Sequence, residues 1–258
     1  FTDPLLPQQV LGDAVRLRQV LINLVSNAVK FCSMRQPGEV SVRATLAGQD
    51  LSRASVRIDV RDNGVGISKE AQSKLFEAVS QAESSTTRRF GGSGLGLAIS
   101  QHLVNMMGGT IGVDSEPERG ATFTLMLSFE CQEHEAVHRK MLLEGLSCLV
   151  IGPAQGMVKD LAAYLAYDGA LVKCADTLDA ASAIHEQLPA GLCVWIVDKG
   201  DKGDVGVSED HLRSAVSEWP DHEVRLITIE RGDRRKLRRL AEDHHTVDGN
   251  LLKRDFFV

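Results

Sequence analysis

Apolar positions along the chain change their spacing several times, and each change marks a new element. Near the start, Leu17, Val20, Leu21, Leu24, Val25 and Ala28 recur at three- and four-residue steps, the spacing of a helix with one apolar face. Asp13 can cap that helix, which the pattern predicts to run to about Phe31. Alternation of period two follows and ends at 56–67 in VRIDVRDNGVGI, and 120–129 (GATFTLMLSF) reads as a closing core strand. Between them the helical period returns in AISQHLVNMM, directly after a glycine-rich run. The stretch 131–145 is polar and only weakly periodic, as a connector would be. Beyond it, apolar runs at 147–151, 170–174, 192–197 and 224–229 alternate with helical segments near 156–167, 177–188, 208–218 and 233–243, with a last strand expected beside NLLKRD (250–255). That repeat predicts a parallel sheet with helices on both faces. The expected organisation is an α/β domain over 1–130, a linker over 131–145 and a second α/β domain over 146–258.

The composition of the 258-residue chain, 43% hydrophobic and 25% charged, is that of a soluble globular protein and excludes disordered and collagen-like classes. No window approaches 18 consecutive apolar residues, and the opening FTDPLLPQQV lacks the basic and apolar regions of a signal peptide. The lack of an initiator Met is expected of a piece of a longer protein. Five cysteines (Cys32, Cys131, Cys148, Cys174, Cys193) form an odd number with no C-x-x-C pair, which argues for a reducing compartment and against a disulfide framework or zinc site. Residues 1–130 carry 13 Lys+Arg and 13 Asp+Glu, so the formal charge of −6 belongs wholly to 131–258. No strong nucleic-acid footprint appears.

Three segments of the first half carry candidate chemistry. Asn23, Asn27 and Lys30, at i, i+4 and i+7, place two amides and an ammonium on one stripe of the first helix. Alone, such a stripe is an ordinary solvated face. Asp62, Gly64 and Gly66 end a strand in Asp-Asn-Gly-x-Gly, where glycines allow a close approach that side chains would block. A lone DNG is more often a turn. Third, 91–97 (GGSGLGL) opens a helix, so free backbone amides point into a glycine-rich loop, a geometry suited to phosphate.

Taken in order, with the polar 81–90 stretch QAESSTTRRF before the second glycine cluster, these segments resemble the catalytic ATP-binding domain of sensor histidine kinases over residues 8–130. The N-box is matched by Asn23, Asn27 and Lys30, the G1 box by Asp62, Gly64 and Gly66, the F-box by Phe76, and the G2 box by Gly92, Gly94 and Gly96, with Leu95 among them. The resemblance implies a two-layer α/β sandwich of the Bergerat (GHKL) type. It also implies Asp62 as acceptor for the adenine amino group, Asn27 as the Mg²⁺ ligand, Asn23 and Lys30 at the phosphates, and 81–93 as an ATP lid with Arg88 or Arg89 near the γ-phosphate. In the F-box a family aromatic is Val79 here and a family Pro is Ala78. Gyrase-type, mismatch-repair and chaperone ATPases of the same fold place a water-activating Glu four residues before the Mg²⁺ Asn. That position is Asn23, and an amide cannot act as a general base, so the γ-phosphate is kept for another acceptor.

In the family that acceptor is a His on a dimeric helical hairpin preceding the ATP domain, and no such hairpin is expected in this sequence. His134-Glu135 is similar to the family's His-acid pair but sits in the linker, where an exposed His is the expected reading.

The second half resembles a two-component receiver, a flavodoxin-like (βα) domain with a parallel sheet. Asp198 ends the apolar strand LCVWIVD at the phosphoacceptor position and Lys253 stands at the phosphoryl-pairing position. Where the family has an acidic pair after the first strand, this chain has Gly152-Pro153. Neither offers a side-chain oxygen for a metal, so a degenerate pseudo-receiver is expected. The hydroxyl-switch position falls on Thr228 or Glu230, and the usual Pro after the Lys is Arg254. Six basic residues in 231–239 (RGDRRKLRR) form a solvated helix face or an anion-binding patch.

The resemblance thus implies part of a hybrid sensor histidine kinase that positions Mg²⁺ and ATP for phosphoryl transfer to a His on a dimerisation domain. Its alternative is a kinase-like regulatory module that docks onto another sensor kinase. Implied partners are the dimerisation and phosphoacceptor domain, another sensor kinase, and a downstream receiver or phosphotransfer protein, with no nucleic acid. The parent is expected to be a membrane-anchored homodimer with this portion in the cytoplasm.

Overall fold

The computed structural model describes residues 1–32, 37–50, 52–77, 95–131, 141–153, 157–198, 212, 214–215, 223–230 and 244–248. The chain divides into two compact units, Phe1–Glu135 and Ala136–Val258. Among the described residues no helix is long and apolar enough to cross a membrane.

The first unit places helices on one face of a four-stranded antiparallel sheet. Its described elements are α1 (Ala14–Cys32), β1 (Val40–Gln49), β2 (Arg53–Asp62), α2 (Lys69–Lys74), α3 (Gly96–Met106), β3 (Thr110–Ser115) and β4 (Ala121–Glu130), with strand order β1-β2-β4-β3. Helix α1 starts where Asp13 accepts the Arg16 N–H through Oδ1 at 2.9 Å, a side-chain cap for an otherwise unpaired amide. Its buried row, Val20, Leu24, Ala28 and Cys32, keeps a four-residue step and packs on the sheet with Val104 of α3.

Strand β2 alternates strictly, so Ala54, Val56, Ile58, Val60 and Asp62 point to the buried face and the residues between them to the outer one. It pairs with β1 from Asp62↔Val40 and with β4 from Asp62↔Ala121. The site carboxylate is therefore the next member of a row of core residues.

The second unit is built on β5 (Ser147–Ile151), α4 (Met157–Tyr167), β6 (Leu171–Ala175), α5 (Leu178–His185), β7 (Leu192–Asp198), β8 (Glu223–Glu230) and β9 (His244–Asp248). All pairings are parallel and the order is β6-β5-β7-β8-β9, the 2-1-3-4-5 order of flavodoxin-like sheets. Every residue of β5 is buried, because both sheet faces are covered. One face packs Leu149, Ile151, Trp195 and Val197 with Ala181 of α5 and Leu212. The other packs Val150, Ile196 and Ile229 with Val158 of α4. The indole N–H of Trp195 donates to Nδ1 of the fully buried His185 at 3.2 Å.

The fifth described strand, β9, comes shortly before the NLLKRD stretch at 250–255, which lies outside the described residues. It lies at the edge of the sheet, where pairing on one side only does not demand an apolar run, and HHTVD shows none. The helical pattern at 233–243, Lys253, Arg254 and the basic 231–239 segment lie outside the described residues.

Candidate nucleotide site

Two elements bring the candidate residues of the first unit together. Asn23, Asn27 and Lys30 follow one half-buried stripe of α1, beside the apolar row that anchors the helix. Asn23 donates through Nδ2 to Ser100 Oγ on α3 at 2.9 Å. A methyl group on Gly96 would come within 2.6 Å of Asn23 Oδ1, so the first turn of α3 lies directly against the stripe. Leu95, at the N-cap, contributes no side-chain cap, and the Lys30 ammonium stands 5.3 Å from the centre of the Phe31 ring.

At the end of β2, Asp62 is 5% exposed, and its Oδ1 accepts the Gly64 N–H at 2.8 Å. Gly64 is pressed against the end of α1, since a Cβ there would meet the Phe31 carbonyl oxygen at 2.6 Å. Gly66 takes φ +70 and a Cβ would collide with the Glu116 carbonyl, so both conformation and space require glycine. The turn is held from below by Ser115, whose Oγ accepts the Ile67 N–H at 2.9 Å and donates to the Gly120 carbonyl at 2.6 Å. Gln72 of α2 donates to the Ile67 and Ser115 carbonyls, both at 2.8 Å. Phe76, just after α2, packs half-buried against the core.

Arg88, Arg89, Gly92 and Gly94 lie outside the described residues, as do the rest of the 81–93 segment, Ala78, Val79, His134 and Glu135. Ser100, Ser115, Gln72 and Asn63 were not singled out by sequence. Ser100, one helical turn after Gly96, carries a usable signal, but Ser115 and Gln72 reach the turn only through the fold.

The geometry fits an adenine nucleotide. A buried carboxylate with one oxygen held internally leaves the other for a donor edge, and the Gly64 and Gly66 turn is a cradle that side chains would fill. Among the described residues no group of three His, Cys, Asp or Glu could hold a metal. A Mg²⁺ here would need Asn27 plus phosphate oxygens, which suits a cation that is usually bound by one or two protein oxygens and the substrate.

In the second unit, Asp198 ends β7 at 3% exposure, opposite Ile229 of β8, while the buried Thr228 pairs with Val197. Gly152, directly after β5, has φ +152, and a Cβ on it would meet Val158 at 3.0 Å and Asp198 Cβ at 3.1 Å. The backbone after β5 is therefore packed against the Asp198 side chain. Cys148 and Cys193 lie on opposite faces of the neighbouring strands β5 and β7, and burial pushes both thiols up to about 11.

A family model described as histidine kinase-, DNA gyrase B- and HSP90-like ATPase matches residues 12–130. Sensor protein GacS of Pseudomonas syringae pv. syringae is 42% identical over 146 residues, 56% of this chain and 16% of that protein. The signal transduction histidine-protein kinase BarA of Escherichia coli (strain K12) is 36% identical over 173 residues, 67% of this chain and 17% of that protein. The chain thus spans about a sixth of the length of these relatives. The crystal structure of full-length ShkA in complex with AMPPNP is similar over 88% of this chain and 42% of that one, with a TM-score of 0.57 and 29% identity.

Proposed function

We propose, from the membership of residues 12–130 in the histidine kinase-, DNA gyrase B- and HSP90-like ATPase family, that this unit holds Mg²⁺ and ATP for γ-phosphoryl transfer to a histidine of a sensor kinase's dimerisation domain. The observation that carries the reading is that α1 is met by both other elements: the Asp62–Gly64 turn lies against its end at Phe31, and the first turn of α3 lies against Asn23 at Gly96. Asp62 reads the adenine amino group, while Asn23, Lys30 and the amides at the start of α3 face the phosphates. Asn27 is the metal ligand, and Mg²⁺ supplies charge neutralisation at the transferring group. In this reading Arg88 or Arg89 of the 81–93 lid serves the γ-phosphate, Gly92 and Gly94 belong to the phosphate loop, and Phe76 is the F-box residue. The similarity to a protein solved with AMPPNP supports the nucleotide, and the histidine-protein kinase name of BarA supports the acceptor class.

Position 23 decides between transfer and hydrolysis. Its amide is engaged by Ser100 and carries no proton-accepting carboxylate, so water is not activated there. In this reading the chain is the cytoplasmic portion of a membrane-anchored homodimer, acting on its own dimerisation domain and, through it, on a receiver or phosphotransfer protein.

The second unit is a receiver-like domain that has lost its metal. Gly152-Pro153 supplies no carboxylate, although the backbone at Gly152 lies close to Asp198. Asp198 and Lys253 then mark an inactive phosphoacceptor position, and the unit serves as a fixed docking or gating element. This favours a second reading for the whole, a regulatory module that docks onto another sensor kinase. Calorimetry of the 258-residue chain with Mg²⁺ and ATP separates the two. Saturable binding at or below millimolar ATP supports the kinase, and its absence leaves the docking module.

A further inference from the structure

We propose that Asn63 is a positioning residue of this site, fixing the distance between the adenine end, on β2, and the phosphate end, on α1. The inference rests on the nucleotide reading above. Asn63 stands one residue past the last ladder pair of β2, outside the core. Its Oδ1 accepts the Glu39 N–H at 2.8 Å and the thiol of Cys32, the last residue of α1, at 3.1 Å. Its Nδ2 donates to the Pro37 carbonyl at 3.0 Å, and its own backbone N–H donates to the Glu39 carbonyl at 3.1 Å. The buried Cys32 thiol shares its proton with that same carbonyl at 3.3 Å.

An amide side chain has two acceptor and two donor positions, and three of the four are spent here on the last residue of α1 and on Pro37 and Glu39 just before β1. The contact of Gly64 on the Phe31 carbonyl stops the turn from coming closer to α1. The Asn63 bonds stop it from moving away. Asp62 and the Asn23, Asn27 and Lys30 stripe are thereby held at one separation, while the fold is secured by the β2 ladders and the apolar row of α1.

A nucleotide that touches both ends gains from a separation set in advance, because ordering it on binding would cost affinity. Adenosine touches the Asp62 end alone and gains nothing. Asn63→Ala should therefore weaken ATP by about tenfold, the loss of one or two hydrogen bonds' worth of preorganisation, and adenosine by less than about twofold. Cys32→Val, which deletes one donor and keeps the apolar helix end, should show the same ATP-selective loss to a smaller degree. Cys32→Ser, which keeps a donor, should restore wild-type values.

The test is an NMR titration of the full chain and these variants with ATP plus Mg²⁺ and, separately, with adenosine. Equal losses for both ligands, or unchanged ATP affinity in Asn63→Ala and Cys32→Val, would overturn the positioning role while leaving the site intact. Should Asn63→Ala not fold, the comparison of Cys32→Val with Cys32→Ser decides alone. Wild-type protein that binds neither ligand would remove the nucleotide site, and this inference with it.

Discussion

Asp62→Asn is the sharpest probe of how the site reads its base. The carboxylate is almost wholly buried, and Oδ1 is already engaged by the Gly64 N–H, so a ligand's amino group must use Oδ2. Asparagine has the same shape. If its oxygen keeps the Gly64 bond, its NH₂ group replaces Oδ2 and presents a donor to the adenine amino donor. The loss is one hydrogen bond to a charged group, about 1.5–3 kcal/mol, or about tenfold to a hundredfold in Kd. Because global unfolding would give the same fall, the assay is a cycle. Calorimetry is run on wild type and variant with ATP and with a purine nucleoside triphosphate that lacks the 6-amino group, and thermal melting of the free proteins controls for the fold. Wild type should prefer ATP, and the variant should lose that preference while binding the analogue as wild type does. A coupling energy near zero between residue and amino group would refute the assignment of Asp62 to the adenine edge.

Three further outcomes follow from the same structure. γ-Labelled ATP incubated with the chain and Mg²⁺ should keep its label on the nucleotide, since position 23 is an amide; acid-labile label on His134 or rapid phosphate release would contradict this. With Mg²⁺ and beryllofluoride, amide shifts around Asp198 should stay unchanged, and a saturable Mg²⁺-dependent shift there would establish a competent receiver. Burial raises the Cys148 and Cys193 thiols to about 11, above the roughly 8.5 of an unfolded thiol. Their contribution to stability is therefore whole below about pH 8.5, and it is lost as pH rises toward 11 because the unfolded chain ionises first. Urea denaturation of the second unit across that range should show a falling midpoint, and a flat one would mean that these thiols are solvated.

What could be read from the sequence follows from how each element earns its place. α1 was legible because its buried row keeps a four-residue step, and the Asn23, Asn27 and Lys30 stripe could be read off the same helical wheel. β5 and β7 were legible because a parallel strand covered on both faces is nearly all apolar, and β8 because of its run from Leu226 to Ile229. The bounds of β9 were not legible because an edge strand owes nothing to that rule, and α2, with six residues and a Ser68 cap, is too short to show a period. In the site, Asp62, Gly64 and Gly66 could be picked out because few residue types tolerate such a turn. The bonds of Asn63 could not, because DNG is an ordinary turn sequence and its partners Cys32, Pro37 and Glu39 lie across a chain reversal.

The row that ends in Asp62 has a consequence for how this domain can change its length. Core side chains and the site carboxylate occupy alternate positions of a single strand paired on both sides. Deleting one residue anywhere in β2 would turn every later side chain to the opposite face, sending Asp62 outward, forcing Arg61 into the core slot of Val60 and leaving Asn63 in the place of the site carboxylate. A deletion of two would restore the facing but draw the turn one pleat into the sheet. Insertions and deletions in this lineage should therefore collect where no alternation is at stake, as in the β1–β2 hairpin around Asp50, leaving the span from Arg53 to Gly66 fixed in length even where its residues change.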